Sequence, residues 1–177
     1  IYNPDAQIAW ELDSLAAKSA PYSMRINNLV NTNYGTLDWL ELPFLDLTTA
    51  HPDSTLRMTF WWAYARSDAN FSDELIVQLS KDCGFTYVPI FSKSGNALAT
   101  GPTQTTPFIP DSTQWKKAVI NLNAYRDERY VKFRIVNVTD GGNNLYMDDL
   151  NIGDGSDGNP TAVTTPLVGD PFPNLRL

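Results

Sequence analysis

Four segments of the chain place apolar side chains at every second position. They are Leu56–Tyr64, Leu75–Ser80, Val131–Val136 and Tyr146–Ile152. Because successive side chains of a β-strand point to opposite faces, this period of two predicts four strands that each turn one face towards a core. The same pattern is weaker in four further segments that we also predict to be strands: Tyr22–Asn28, Asp38–Leu42, Tyr87–Ser92 and Lys116–Leu122.

Helical patterns are scarce in comparison. Only Glu11–Lys18 and Asn123–Glu128 predict a turn or two of helix, and the Gly-, Pro- and Thr-rich segment 92–112 predicts an ordered surface loop. About eight short strands with few helices predict an all-β protein, an antiparallel β-sandwich. From Gly153 onward the composition changes to Gly, Asp, Pro and Thr, so we predict one domain over 1–152 and a linker tail over 153–177.

Composition and charge limit the classes of function that this protein can have. The 177 residues carry 13 Lys and Arg against 20 Asp and Glu, and the resulting net charge of −7 opposes binding to nucleic acid. One cysteine and one histidine exclude an internal disulfide and a two-histidine metal site. No glycine-rich phosphate loop or GxSxG motif is present, and no run approaches the roughly 18 apolar residues of a membrane helix. These absences argue against an enzyme.

Trp61 is the best candidate for a binding residue. The alternation places it opposite Phe60 and Trp62, on the outward face of its strand together with Arg57 and Thr59. An exposed aromatic ring at this position can stack on a sugar ring or on a side chain of a partner. The alternative is that a loop such as segment 92–112 covers Trp61. We predict that two other tryptophans, Trp39 and Trp115, pack in the core or at a sheet edge.

Asp148 is the most informative acidic residue. It alternates with Tyr146, Leu150 and Ile152, so the pattern predicts that its carboxylate points into the sandwich. A buried carboxylate must be paired, hydrogen-bonded or bound to a metal, because burying it alone is too costly. Without a metal, backbone amides or an arginine such as Arg25 would have to supply the partners.

An ordered set of motifs resembles a known family. A strand that ends at Ala63–Ala65 is followed by Asp73–Val77, by Trp115 before a strand and by Asn143–Asp149, while Asn3–Asp5 lies upstream. Together these motifs resemble the jelly-roll modules of secreted multidomain proteins from Bacteroidota, which are akin to MAM-like and cleaved-adhesin domains. The resemblance covers nearly all of the predicted domain. It implies a jelly-roll form of the predicted β-sandwich.

The resemblance also implies a metal and a location. Modules of this family usually start with a further strand upstream of Asn3, and this sequence departs from them there. Related jelly rolls use an aspartate at the position of Asp148 for a structural Ca²⁺, with further oxygen ligands from the N-terminal segment. Since calcium needs six to eight oxygens, Asp5 and Asp38 are the acids that we expect to complete such a site, with Glu11 as another candidate. Modules of this family are secreted through the type IX pathway or displayed on the cell surface, often beside a catalytic domain.

These observations favour a non-catalytic accessory module that binds a polysaccharide or a host or cell-surface protein. One alternative is a purely structural spacer that packs against neighbouring domains of the parent chain. A second alternative is a β-sandwich enzyme that acts on polysaccharides. Its active site would draw on Tyr64, Arg66, Tyr125 and Arg126.

Overall fold

Two antiparallel sheets and the segments that connect them account for residues 1–153, which are the residues that the computed structural model describes. The predicted linker tail lies outside the described residues, apart from Gly153 at the end of the last strand. No helix within the described part is long and apolar enough to cross a membrane. The strands are β1 (Glu11–Asp13), β2 (Ser23–Asn27), β3 (Leu37–Glu41), β4 (Arg57–Tyr64), β5 (Glu74–Ser80), β6 (Val88–Ser94), β7 (Lys116–Asn121), β8 (Lys132–Val138) and β9 (Asn144–Gly153).

The order of the strands is that of a jelly roll. One sheet has five strands in the order β1-β2-β9-β4-β7, and the other has four in the order β3-β8-β5-β6. Without the short β1, each sheet contains four strands, and the chain crosses repeatedly from one sheet to the other. All eight predicted strands are present, so the predicted fold class is confirmed.

The core lies between the sheets and follows the period of two. On β4, Met58, Phe60 and Trp62 are buried in this core, whereas Thr59 and Trp61 on the other side of the strand are half-buried. Edge-on aromatic contacts link Phe60 and Trp62 to Phe91 of the opposite sheet. Burial of large apolar side chains from both sheets is therefore the main source of stability.

The prediction of a helix over 11–18 is wrong. Glu11–Asp13 instead forms β1, which pairs with β2, and the ion pairs of Arg25 with Glu11 and Asp13 tie the two strands together. A weak local helical pattern yields here to pairing with a neighbouring strand. The short turn predicted after Asn123 is confirmed as the 3₁₀ helix Asn123–Tyr125.

The predicted loop over 92–112 is only partly a loop. Its first residues complete β6, and the next four form a single helical turn, α1 (Gly95–Leu98). Phe108, further along, is buried in a second small hydrophobic cluster. Two more 3₁₀ helices, Asn28–Val30 and Leu47–Thr49, connect strands elsewhere.

The predicted inward orientation of Asp148 is wrong. The register between β4 and β9 shifts between Thr59 and Trp61, and Asp149 on β9 has a positive φ of 50°. This bulge reverses the alternation within β9. Tyr146 and Asp148 consequently face outward, while Leu150 and Ile152 pack against the core.

Candidate functional site

The outward face of the five-stranded sheet carries the predicted binding residues. Arg57, Thr59 and Trp61 lie in one row along β4, opposite Asn121, Val119 and Lys117 of β7. All three predicted residues are half-buried. The structure thus brings them together on one face, as the alternation predicts.

Two chain segments cover the part of this face around Trp61. The ammonium Nζ of Lys18 lies 4.2 Å from the centroid of the Trp61 ring. The ring also packs against a buried cluster that includes Ala16, which precedes β2, and Phe108 of the predicted loop. Trp61 is therefore covered, as the alternative interpretation of the sequence predicts. We call this surface the covered face; its cluster consists of Ala16, Ala63, Ala65, Phe108, Trp115 and Tyr146.

Asp148 holds this cover in place. Its Oδ2 atom accepts hydrogen bonds from the backbone N–H groups of Lys18 and Ser19, at 2.8 and 3.0 Å, and Oδ1 accepts one from Asp149 at 2.7 Å. The hydroxyl of Ser19 also donates to the carboxylate of Asp149. Of the two metal-free partners considered for Asp148, the backbone amides are therefore correct and Arg25 is not.

One carboxylate that does point inward is that of Asp38 on β3. Asp38 is fully buried, and neither of its side-chain oxygens has a hydrogen-bond donor among the described residues. Burial, and to a lesser degree the charge of Asp5, raises the pKa of Asp38 from 3.8 to about 6. An unpartnered buried carboxylate of this kind is a strong attachment point for a cation.

Oxygen atoms of the N-terminal segment lie beside Asp38. Tyr2 pairs with Trp39 through two backbone hydrogen bonds of 2.8 and 3.1 Å, which brings the following residues next to Asp38. The Oδ1 atom of Asn3 is buried and has no donor within the described part of the chain. A hydrogen bond from the backbone N–H of Gln7 lowers the pKa of Asp5, so this carboxylate remains charged.

The predicted metal ligands therefore separate into two places. Asp5 and Asp38 interact electrostatically, whereas Asp148 lies on the outward face of the other sheet, with that sheet between them. The structure does not bring Asp148 together with the other two acids. No group of three or more His, Cys, Asp or Glu side chains within residues 1–153 could hold a metal. A cation at Asp38 would therefore need amide, carbonyl or water oxygens besides the two carboxylates.

The outward face of the four-stranded sheet is different in character, and sequence reasoning missed it. We call it the open face, because most of its side chains are half-buried or exposed. Glu41, Arg134 and Gln78 lie side by side across β3, β8 and β5, with Trp39 on the next row of β3. The signal was available, because Lys132 and Arg134 occupy the polar side of the alternation in their strand.

Arg134 is the centre of a group of stacked rings on the open face. Its guanidinium carbon lies 4.0 Å from the ring centroid of Tyr87 and 4.8 Å from that of Trp39. The ring of Tyr2 stacks on Trp39 with 3.8 Å between centroids, and the Nε atom of Arg134 donates to Gln78. We call these residues the Arg134 cluster: Tyr2, Trp39, Gln78, Tyr87 and Arg134.

Charged neighbours of the Arg134 cluster are paired with each other. Glu41 forms an ion pair with Lys132, whose ammonium lies 4.8 Å from the ring centroid of Phe44. The hydroxyl of Tyr87 donates to Oε2 of Glu41 at 3.4 Å. Burial, and then the negative charge of Glu41, raises the pKa of Tyr87, so its hydroxyl stays protonated.

The residues of the hypothetical enzyme site do not come together. Tyr64 and Arg66 lie at the C-terminal end of β4, where Tyr64 is fully buried and Arg66 donates to Phe71 and Asn96. Arg126 donates to backbone carbonyls that precede β4. The eight residues of β4 span about 26 Å, so the two groups lie at opposite ends of the sandwich.

Comparison with known proteins identifies the fold. No protein-family model matches the chain, and a search of curated proteins found no significant match. The K1 cleaved adhesin domain of Lys-gingipain from Porphyromonas gingivalis is similar in structure, with a TM-score of 0.57 and 20% identity over 88% of this chain and 89% of that domain. The K3 cleaved adhesin domain of the same protein gives a TM-score of 0.49 and 19% identity over 77% and 75%.

Carbohydrate-binding modules are also among the structural neighbours. A structure of promiscuous modules from the β-sandwich superfamily gives a TM-score of 0.51 and 10% identity, over 82% of this chain and 53% of that chain. The resemblance seen in the sequence motifs is thus confirmed at the level of the fold. The chain has the jelly-roll β-sandwich fold of the cleaved adhesin domains.

Proposed function

We propose that this chain is a non-catalytic accessory module of a secreted or cell-surface protein, and that it binds carbohydrate through the open face. The observation that carries the proposal is the Arg134 cluster, in which Trp39 and Tyr87 are held in place beside the polar side chains of Gln78 and Arg134. Aromatic rings provide apolar contact for a sugar ring, and fixed polar groups bond its hydroxyls. Its fold is one on which other proteins bind glycans, which supports the proposal by analogy only.

The covered face is the less suitable of the two surfaces. Lys18 lies over Trp61 at 4.2 Å, and the same ring packs against the buried cluster of the covered face, whereas the ring of Tyr2 that ends the stack on Trp39 is exposed. Binding at Arg57, Thr59 and Trp61, as the sequence predicts, would require displacement of the segment that Asp148 anchors. This site remains the alternative location, and the same experiment tests both.

The test is calorimetric titration of the full chain against a panel of soluble polysaccharides. We expect the Trp39→Ala variant to lose tenfold or more in affinity, because aromatic side chains commonly dominate binding surfaces. Trp61→Ala is the matched control and should bind normally. Loss of binding in Trp61→Ala alone would move the site to the covered face. Absence of binding to every glycan would reject the proposal.

The two other functions predict different results in the same preparations. A structural spacer would bind no glycan, and its deletion would lower the stability of the parent protein. An enzyme would release reducing ends from a polysaccharide during prolonged incubation with the isolated chain. We expect glycan binding without turnover.

We further propose a structural Ca²⁺ at Asp38, with oxygens of Asp5 and Asn3 as additional ligands. The unpartnered buried oxygens of Asp38 and Asn3 fit a hard, oxygen-preferring cation. At 100 times its dissociation constant, Ca²⁺ would stabilise the folded state by about 2.7 kcal/mol, which corresponds to roughly 5–10 °C in melting temperature. We expect this increase when Ca²⁺ is added to chelated protein.

Asp38→Asn tests the location of the calcium site. This variant should lose the response to Ca²⁺, whereas Asp148→Asn, altered on the opposite side of the five-stranded sheet, should keep it. If Ca²⁺ leaves the melting temperature of the wild type unchanged, the proposed calcium site is contradicted. An increase in melting temperature that is lost in Asp148→Asn would support the ligand set predicted from the sequence, which includes Asp148.

The pKa of Asp38 predicts how the metal-free protein responds to pH. Since this pKa rises from 3.8 in the unfolded chain to about 6, the folded protein holds the proton more tightly. The stabilisation is present below pH 4 and is lost as the pH rises through 6, by up to about 3 kcal/mol. Burial also raises the pKa of Asp73, so the relevant measurement is wild type against Asp38→Asn, by denaturant unfolding with chelator between pH 4 and 7. A constant difference would contradict the prediction.

A further inference from the structure

Arg134 forms no ion pair with an acidic side chain of the described residues. Its Nε atom donates to Gln78, a neutral partner. The acid directly opposite on β3 is Glu41, but the ion pair of Glu41 is with Lys132. Arg134 is therefore a cation without an ion-pair partner among the described residues, in a chain whose net charge is −7.

The other acid of the open face lies far from Arg134. Glu74 is four residues from Gln78 along β5, a separation of about 13 Å, and its carboxylate accepts a hydrogen bond from Ser92. At physiological ionic strength, charges separated by more than about 8 Å are largely screened. Glu74 consequently does not compensate the charge of Arg134.

The guanidinium is also oriented before any ligand arrives. The rings of Trp39 and Tyr87 contact it at 4.8 and 4.0 Å, and the bond from Nε to Gln78 fixes its rotation. The donors on the two Nη atoms have no partner among residues 1–153. A planar pair of such donors matches the two oxygens of a carboxylate, and the pre-set geometry lowers the entropic cost of binding.

We infer that the open face recognises an acidic saccharide, a hexuronic acid unit whose carboxylate accepts two hydrogen bonds from Arg134. The sugar ring would lie against the aromatic side chains of the Arg134 cluster. This inference rests on the proposed carbohydrate-binding function and specifies the chemical class of the ligand.

The probe is trigalacturonic acid, and its fully methyl-esterified form is the control ligand because it keeps the sugar rings and removes the charges. Calorimetric titration of the wild-type chain should give an affinity for the free acid about tenfold to hundredfold higher than for the ester. Arg134→Gln should lose this preference. Arg134→Lys keeps the charge and the aliphatic stem but not the planar fork, so it should lose most of the preference.

Arg129→Gln is the control, since Arg129 is an exposed arginine that lies outside the strands of both sheets and forms an ion pair with Asp46. It should leave the preference for the acid unchanged. Thermal melts of all variants establish that each is folded at the temperature of titration, and Arg134→Lys tests the inference even if Arg134→Gln is unstable.

The outcomes separate this inference from the proposed function. Equal affinity for acid and ester that depends on Trp39 would overturn the acidic ligand and leave carbohydrate binding intact. Binding of inorganic sulfate as strong as that of the trisaccharide would reduce Arg134 to a general anion site and also overturn the inference. Absence of binding to any glycan, acidic or neutral, would overturn both.

Discussion

The two outward faces of this sandwich follow from the same alternation of apolar and polar residues. One face is covered by other parts of the chain, and the other is largely open to solvent. On the five-stranded sheet, small and aromatic side chains such as Ala63, Ala65 and Tyr146 accept a cover made by other parts of the chain. On the four-stranded sheet, Arg134 and Gln78 keep long polar groups at the surface. One face has become a second, minor core, and the other has remained available for a ligand.

The comparison teaches that an outward-pointing tryptophan is not by itself a binding residue. Trp61 and Trp39 both lie on outward faces and are both half-buried. Trp61 packs within the cluster of the covered face beneath Lys18, whereas Trp39 belongs to a row of stacked rings on an edge strand. What distinguishes them is the residues that lie over each ring: a segment anchored by Asp148 over Trp61, and the single stacked ring of Tyr2 over Trp39.

Among the variants that test this difference between the two faces, Phe108→Ala should have the largest effect on stability. Phe108 is 1% exposed and packs edge-on against Tyr146, so its removal leaves a cavity under the cover. We expect a loss of about 3–5 kcal/mol in the free energy of unfolding, measured by denaturant titration. Trp39→Ala on the open face should cost clearly less. Equal losses would show that the two faces do not differ in packing.

Asp148→Ala should loosen the cover without opening the core. The substitution removes the acceptor of two backbone N–H groups, those of Lys18 and Ser19, and should cost about 1–3 kcal/mol. Amide hydrogen exchange should become faster at both residues and remain slow in β4. Unchanged exchange at Lys18 and Ser19 would mean that Asp148 does not anchor the segment.

Tyr2→Ala probes the edge of the open face. The stacked ring of Tyr2 lies 3.8 Å from Trp39, and such a pair contributes about 1 kcal/mol beyond its buried area. We expect a small decrease in stability and a severalfold weaker binding of glycan. Tyr22→Ala, at an exposed residue before β2, is the control that should change neither.

Lys18→Gln should have the smallest effect of the four. It removes the cation above Trp61, an interaction of about 0.5–1 kcal/mol at a partly exposed site. The melting temperature should fall slightly, and glycan binding should remain as in the wild type. A gain of binding in this variant that also requires Trp61 would show that the covered face is a latent site.

The period of two was sufficient to predict the strands and the sandwich, because it records directly which side of each strand is buried. It failed at Asp148, where one bulge residue, Asp149, reversed the faces of β9. The helical pattern failed at residues 11–13, where the pairing with β2 outweighed a weak local preference for helix. A bulge depends on the partner strand, so local alternation does not reveal it.

The candidate sites depended still more on distant contacts. Asp38 and Asp5 come together only because Tyr2 pairs with Trp39, and the Arg134 cluster unites residues from β3, β5, β8 and the segment before β6. Each of these residues is unremarkable in its own segment. Their chemistry appears when strands far apart in sequence lie about 5 Å apart in a sheet.

The amino-acid sequence by itself determined the fold class of this protein. The alternation of apolar residues, the charge and the scarcity of cysteine and histidine are properties of single residues and short segments, so they do not depend on the tertiary structure. The tertiary structure alone decided which outward face is covered, which buried carboxylate lacks hydrogen-bond partners and which arginine is in contact with two aromatic rings. Those properties are relations between segments, and their energies depend on the solvent that the surrounding chain excludes.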